Sequence, residues 1–205
     1  MVFSSQTFLF FFLPLAGLCV LIRSKPVQNA LLLIASLIFY AWGEPKFVVF
    51  MLASIVQGYV LARLVEKYRA DRGRAKLFLT LSLVFSLGLL GYCKYADFFL
   101  SGFNALTGLH IPLLRVALPI GISFYTFQAV GYLIDCYRGR HPAEKNYVRF
   151  LLFISFFPQL IQGPINRYGE MAPQLTARHI WNWERTKRAL FLFLFGAMKK
   201  YAIAN

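Results

Sequence analysis

Charge is the first scarcity in this chain. Only 15% of its 205 residues are Asp, Glu, Lys or Arg, against a hydrophobic content of 59%. A soluble domain carries about 25% charged residues and buries about 70% of its surface. So apolar a chain cannot be covered that way, and a soluble globular domain and a disordered chain are both excluded. Acidic residues are scarcer still, 8 against 22 Lys and Arg, for a net charge of +14. Cysteine is limited to Cys19, Cys93 and Cys136. An odd number with no CxxC spacing excludes a disulfide framework and argues against zinc, and buried or membrane-edge thiols are the simplest reading. The three histidines, His110, His141 and His179, lack a metal-ligand partner at ligand spacing and read as solvated surface residues. HExxH, P-loop and nucleophile-elbow motifs are missing, so no metal, prosthetic group or general base is implied within the apolar segments.

What is present is a series of apolar stretches at 8–22, 27–42, 47–62, 77–93, 117–134, 150–162 and 188–204. The first six contain no charged residue. Several fall at or below the roughly 17–25 residues that a helix needs to cross a bilayer. The opening stretch is not an export signal, because the first basic residue, Arg23, follows the apolar run. The pattern predicts an all-α polytopic membrane protein, a single membrane domain over 1–205 with about six transmembrane helices and one re-entrant element.

The basic residues set the orientation. Between the stretches, Lys and Arg number two in 23–26, one in 43–46, six in 63–76, two in 94–116 and four in 135–149. Basic residues are held on the cytoplasmic side. The alternation of rich and poor loops places the N-terminus outside and 63–76 in the cytoplasm, where it can touch anionic headgroups. The +14 is thus topological, and nucleic acid is not a partner. The next loop, 163–187, should be poor but carries four basic residues. Segment 150–167 therefore enters and leaves from one face. Phe157-Pro158-Gln159 interrupts it and Gln162-Gly163-Pro164 ends it, and a broken backbone at membrane depth survives only against protein or a water-filled cavity. The expectation is a pit open to the cytoplasm. Residues 174–187, with Trp181 and Trp183 among basic residues, read as an interfacial helix.

Polar side chains within the stretches are few. Ser123, Tyr125, Thr126 and Gln128 lie in 117–134, and Pro119 suits a helix start. Buried amides and hydroxyls in spans serve helix–helix packing more often than ligands. An ion pair of Asp135 with Arg138 would be ordinary edge anchoring. The last stretch holds Lys199 and Lys200, whose charges should face a cavity or an interface.

Several runs then carry a resemblance: the opening MVFSSQTFLFFFLPLAGL, NALLLIASLIFYAWGEPKFVVFML, LGYCKYADFFLSGFNAL, and above all LPIGISFYTFQAVGYLIDCYRGR followed by FFPQLIQGPINRYGEM. In order along nearly the whole chain, they resemble the membrane-bound O-acyltransferase family, in its bacterial branch of alginate O-acetylation and D-alanyl transfer. The resemblance implies a ring of helices around a central funnel in the bacterial cytoplasmic (inner) membrane. It implies transfer of an acyl group, here an acetyl, from a cytoplasmic donor such as acyl-CoA or an acyl carrier to a hydroxyl of an envelope polysaccharide such as alginate. Ser123, Tyr125, Gln128, Gln159, Gly163, Pro164 and Arg167 fall on the family's motifs and would line the funnel, with Arg167 meeting donor phosphates. The family's essential histidine lies in its second half, with no counterpart at His110, His141 or His179. The chain thus resembles the N-terminal half only. It is expected to be inactive alone and to need the C-terminal half or partner envelope proteins. Competing readings are a non-catalytic scaffold or export subunit, and a transporter, although no internal repeat supports the latter.

Overall fold

A computed structural model describes residues 6–19, 22, 24–43, 45–160, 163–177 and 182–202. Among them every regular element is helical. A wide-turn helix at Phe8–Phe12 runs into α1 (Leu13–Leu18). Then come α2 (Lys25–Gly43), α3 (Val48–Lys67), α4 (Arg72–Thr107) and α5 (Ile122–Arg138). Two short pieces, α6 (Tyr147–Ser155) and α7 (Phe157–Leu160), precede α8 (Tyr168–Thr176) and α9 (Trp183–Ala202).

The all-α membrane architecture matches the expectation, but its spans are unequal. Among the described residues, three segments, Lys25–Gly43, Pro45–Lys67 and Arg72–Thr107, are long and apolar enough to cross a membrane. The α5 helix has 17 residues, at the lower limit for a span. The α6 helix has nine residues, and α9 carries six charges in its 20. The expected loop over 94–116 is helical as far as Thr107, because nothing in 94–107 breaks the pattern before Gly108. Pro119 lies ahead of α5, where its carbonyl accepts from the Ile122 amide at 3.2 Å. Residues 174–187 are not one helix. The α8 helix ends at Thr176, α9 starts at Trp183, and 178–181, with His179 and Trp181, lie outside the described residues.

Helices α3, α4 and α5 pack as a group, and α6 wedges between α2 and that group. A short polar ladder joins α3 to α4: Gln57 Nε2 donates to Ser82 Oγ at 2.6 Å, and Ser86 Oγ donates to Gln57 Oε1 at 3.2 Å. Such pairs hold helices together where apolar contact is no better than contact with lipid. The N-terminal helix docks by Phe8, Phe12 and Ala16, spaced four apart on one face, against Phe39 of α2 and Phe157 of α7. The Phe12 and Phe157 rings meet edge to face, 5.1 Å apart.

The basic loops gather at one end of the molecule. Glu66 Oε1 accepts from the Ala143 amide at 3.1 Å, and Tyr59 Oη donates to the Lys145 carbonyl at 2.7 Å. The Arg69 guanidinium fills the space beside Gly139, which ends α5 at φ 72°; any other residue there would be strained and would displace the arginine. Asn29 near the start of α2 donates to the Leu175 carbonyl of α8 at 3.1 Å. Segments 63–76 and 135–149, which the charge count assigned to one face, therefore meet, and Lys25 and Pro26 of 23–26 line one cavity with Asn146, Arg149 and Thr176 of 135–149 and 163–187.

Candidate functional site

Segment 147–168 leaves that end and returns to it. Asn146 starts α6 there, its Oδ1 accepting from the amides of Val148 and Arg149. After α6 and α7, Tyr168 comes back beside the same loop and donates its hydroxyl to the Glu144 carboxylate. Burial pushes the Tyr168 hydroxyl above the usual tyrosine value, and the adjacent Glu144 carboxylate adds to the rise.

The turning point is the break at Phe156, where ψ is 111°. In a continuous helix the Phe157 amide would donate to the Phe153 carbonyl. Here that bond is lost, and each half finds another partner. The Phe157 amide donates to Ser36 Oγ of α2 at 3.2 Å. The Phe153 carbonyl accepts from Gln128 Nε2 of α5 at 3.2 Å and from Gln159 Nε2 at 2.8 Å. Pro158 has no amide hydrogen to satisfy. Gln159 Oε1 in turn accepts from Asn166 Nδ2 at 2.7 Å. Gly163 lies so close to the Gln159 main chain that a Cβ there would overlap it. Ser36, Gln128 and Gln159 are all buried, so these protein–protein bonds satisfy the freed backbone groups away from bulk solvent.

Beside this knot lies a cavity of about 240 Å³. Gln128, Tyr132 and Asp135 line it from α5 at helical spacing, Arg138 and Arg140 from the end of that helix, and Asn166 and Arg167 from the returning strand of chain. Asp135 is buried and pairs with Arg140 at 2.7 Å, not with Arg138. Three arginines thus line the cavity with one carboxylate, which Arg140 pairs, while Arg138 and Arg167 are exposed and, among the described residues, have no carboxylate within 4 Å. The arrangement suits a phosphate-bearing ligand, since guanidinium groups bind phosphate through paired donors.

Of the sequence candidates, Gln128 and Arg167 line this cavity, and Gln159, Gly163 and Pro164 form the wall or the chain leading to it. Ser123 and Tyr125 lie nearer the start of α5 and do not line this cavity. Ser123 is half-buried, and Tyr125 is 1% exposed within the main core. Its hydroxyl has no hydrogen-bond partner among the described residues.

The histidine reading needs correction. His141 is half-buried, stacks on Tyr132 at 5.5 Å, and holds Nδ1 3.7 Å from Cys136 Sγ. The α5 helix ends at Gly139 and the chain doubles back, a turn that spacing alone did not reveal. Asp135 was read only as an edge anchor for Arg138, and Glu66, Tyr132, Arg140, Glu144 and Tyr168 escaped the sequence reading, although positions 128, 132 and 135 share a helix face. Among the described residues no group of three His, Cys, Asp or Glu comes together to hold a metal.

Fold and site together define a helical membrane protein with a broken buried helix and an arginine-lined cavity at its basic end. The whole chain is similar to curated O-acetylation proteins. It is 38% identical to "Probable alginate O-acetylase AlgI" of Pseudomonas syringae over 209 residues, covering all of this chain and 40% of that protein. The corresponding protein of Azotobacter vinelandii is 39% identical, with 42% of its length covered. The "Peptidoglycan O-acetyltransferase" of Helicobacter pylori is 33% identical, with 45% covered. The chain spans less than half the length of these relatives. No family profile and no solved structure matches it. The resemblance to the membrane-bound O-acyltransferase family thus extends across all 205 residues.

Proposed function

We propose that this chain forms the donor-side part of a membrane O-acetyltransferase acting on an envelope polysaccharide, with the arginine-lined cavity as the entry for the acyl donor. The observation that carries the reading is the pairing of similarity along this whole chain to alginate and peptidoglycan O-acetylation proteins with three arginines lining one cavity at the basic end. The donor is a phosphate-bearing acyl thioester, as in acyl-CoA or an acyl carrier. Arg138 and Arg167 receive its phosphates, while Asp135 holds Arg140 in place. The acceptor hydroxyl must lose a proton as it attacks the acyl carbon and the donor thiol leaves, which requires a general base within hydrogen-bond reach. That base comes from outside the cavity described here, from the remainder of an assembly or from partner envelope proteins.

On this reading the basic end faces the cytoplasm, the N-terminus lies outside, and the host membrane is the bacterial inner membrane. The return of segment 147–168 to its starting end supports a re-entrant element. Labelling of single cysteines introduced at positions 70, 145 and 108 tests the orientation: the first two should react only from the cytoplasmic side, the third only from outside.

For the donor, acetyl transfer to polysaccharide is measured in membranes with the native partners present. The Arg138→Gln and Arg167→Gln variants should each raise the donor KM about tenfold at little cost in kcat, the value of one charge-assisted hydrogen bond. An unchanged donor KM in both variants would discard the site.

A further inference from the structure

A second cleft, distinct from the arginine-lined cavity and independent of the proposed activity, lies where α3 meets the 139–146 loop. It has a volume of about 600 Å³. Tyr59, Arg63, Glu66 and Lys67 line it from α3, spaced so that they share one helix face, and Lys145 closes it from the loop. The two bonds noted above, Tyr59 Oη to the Lys145 carbonyl and the Ala143 amide to Glu66 Oε1, fix the loop against the helix. The cleft is therefore built by two elements and is not a chance grouping of mobile side chains.

Its chemistry is graded along α3. Glu66 is already engaged, by Arg63 at 3.3 Å on one oxygen and by the loop amide on the other. Lys67 lies over the Tyr68 ring at 5.4 Å, and Lys145 is exposed. Three cations thus face one carboxylate that is already paired. One to two turns back along the helix, Val56 and Val60 are 47% and 45% exposed on a segment apolar enough to cross a membrane. Cations at the end of a span above an exposed aliphatic strip match an anionic glycerophospholipid, with its phosphodiester against the cations and its acyl chains along the valines. A free phosphate would engage only the upper part of this gradient.

We infer that the α3–loop cleft is a binding site for the headgroup of an anionic phospholipid. The test uses the full-length protein purified in detergent, offered equal amounts of phosphatidylglycerol and phosphatidylcholine, with retained lipid read by native mass spectrometry. The wild type should retain phosphatidylglycerol preferentially. Lys145→Gln should lower that preference about fivefold and the Lys67→Gln/Lys145→Gln pair roughly 25-fold, the cost of one and two surface cations. A control pair away from the cleft, Lys94→Gln/Arg115→Gln, should leave it unchanged. Equal retention by the wild type and the cleft pair would overturn the assignment. Displacement of the lipid by glycerol phosphate at equal concentration would reassign the cleft to a soluble phosphate and equally overturn it. Because Lys145 is exposed and its side chain supports no packing, the single variant keeps the test valid even if the pair fails to fold.

Discussion

Two of the helices, α6 and α9, are both rich in Phe and Leu and meet opposite fates. In α6 all six residues from Phe150 to Ser155 are buried in protein, although the helix has only nine residues. In α9 the run from Leu190 to Phe195 is exposed residue by residue, although the helix has 20. Within these two runs, FLLFIS and LFLFLF, apolar content does not separate them. What separates them is the backbone. The α9 helix satisfies its own amides and carbonyls along its length and can face lipid. The α6 helix ends in a break whose freed groups need partners, and only neighbouring protein supplies them. In this pair the short helix that ends in the break is core, and the long unbroken one is surface.

The sharpest way to break this contrast is truncation of one aromatic ring in each helix. Phe153→Ala should cost about 3–5 kcal/mol, because the ring is fully buried against Tyr168 at 5.0 Å. Phe193→Ala, on a residue that is 53% exposed, should fall within about 0.5 kcal/mol of the wild type. Thermal unfolding in detergent reads both, and equal losses would erase the distinction. Next in size is Gly163→Ala, where the added methyl overlaps the Gln159 main chain and should cost about 1–3 kcal/mol, seen in the same assay.

The break itself can then be probed through its partners. Ser36→Ala leaves the Phe157 amide buried without an acceptor and should cost about 1–3 kcal/mol. Ser101→Ala, whose hydroxyl only reaches back to its own helix, should cost nothing measurable. The smallest effect belongs to the shared carbonyl. Gln128→Leu and Gln159→Leu each leave Phe153 one donor and should cost about 1 kcal/mol apiece, while the double variant should exceed their sum. Strict additivity would show that the two amides do not serve one carbonyl.

Much of this arrangement was legible in the sequence. The two prolines and the glycine at 158–164 marked the break, and the excess of Lys and Arg in 163–187 marked the return. Basic-loop counting put on one face 63–76 and 135–149, which the folded chain joins through Glu66 and Ala143, and 163–187, which Tyr168 joins to Glu144. Within the site, Gln128, Gln159 and Arg167 stood out as polar groups in or beside apolar runs. Other features depend on geometry that spacing does not encode. Asp135 pairs with Arg140 because the chain turns left-handed at Gly139, and the same turn carries His141 back onto Tyr132. The interfacial helix expected over 174–187 failed because the mixture of Trp and basic residues signals a headgroup location and says nothing about where one helix ends and the next begins. The N-terminal stretch read as a span is, in its described part, a short helix held by three small or aromatic side chains on one face.

The hydrogen bond from Phe157 to Ser36 joins residues 121 positions apart. A chain made from its N-terminus has α2 in place long before residue 157 leaves the ribosome, so the acceptor is waiting when the kink arrives. Contacts of such long range form late. The pocket wall is therefore among the last parts of this chain to assemble, and errors in placing the early helices should show first as failure of the kink, not as loss of helix.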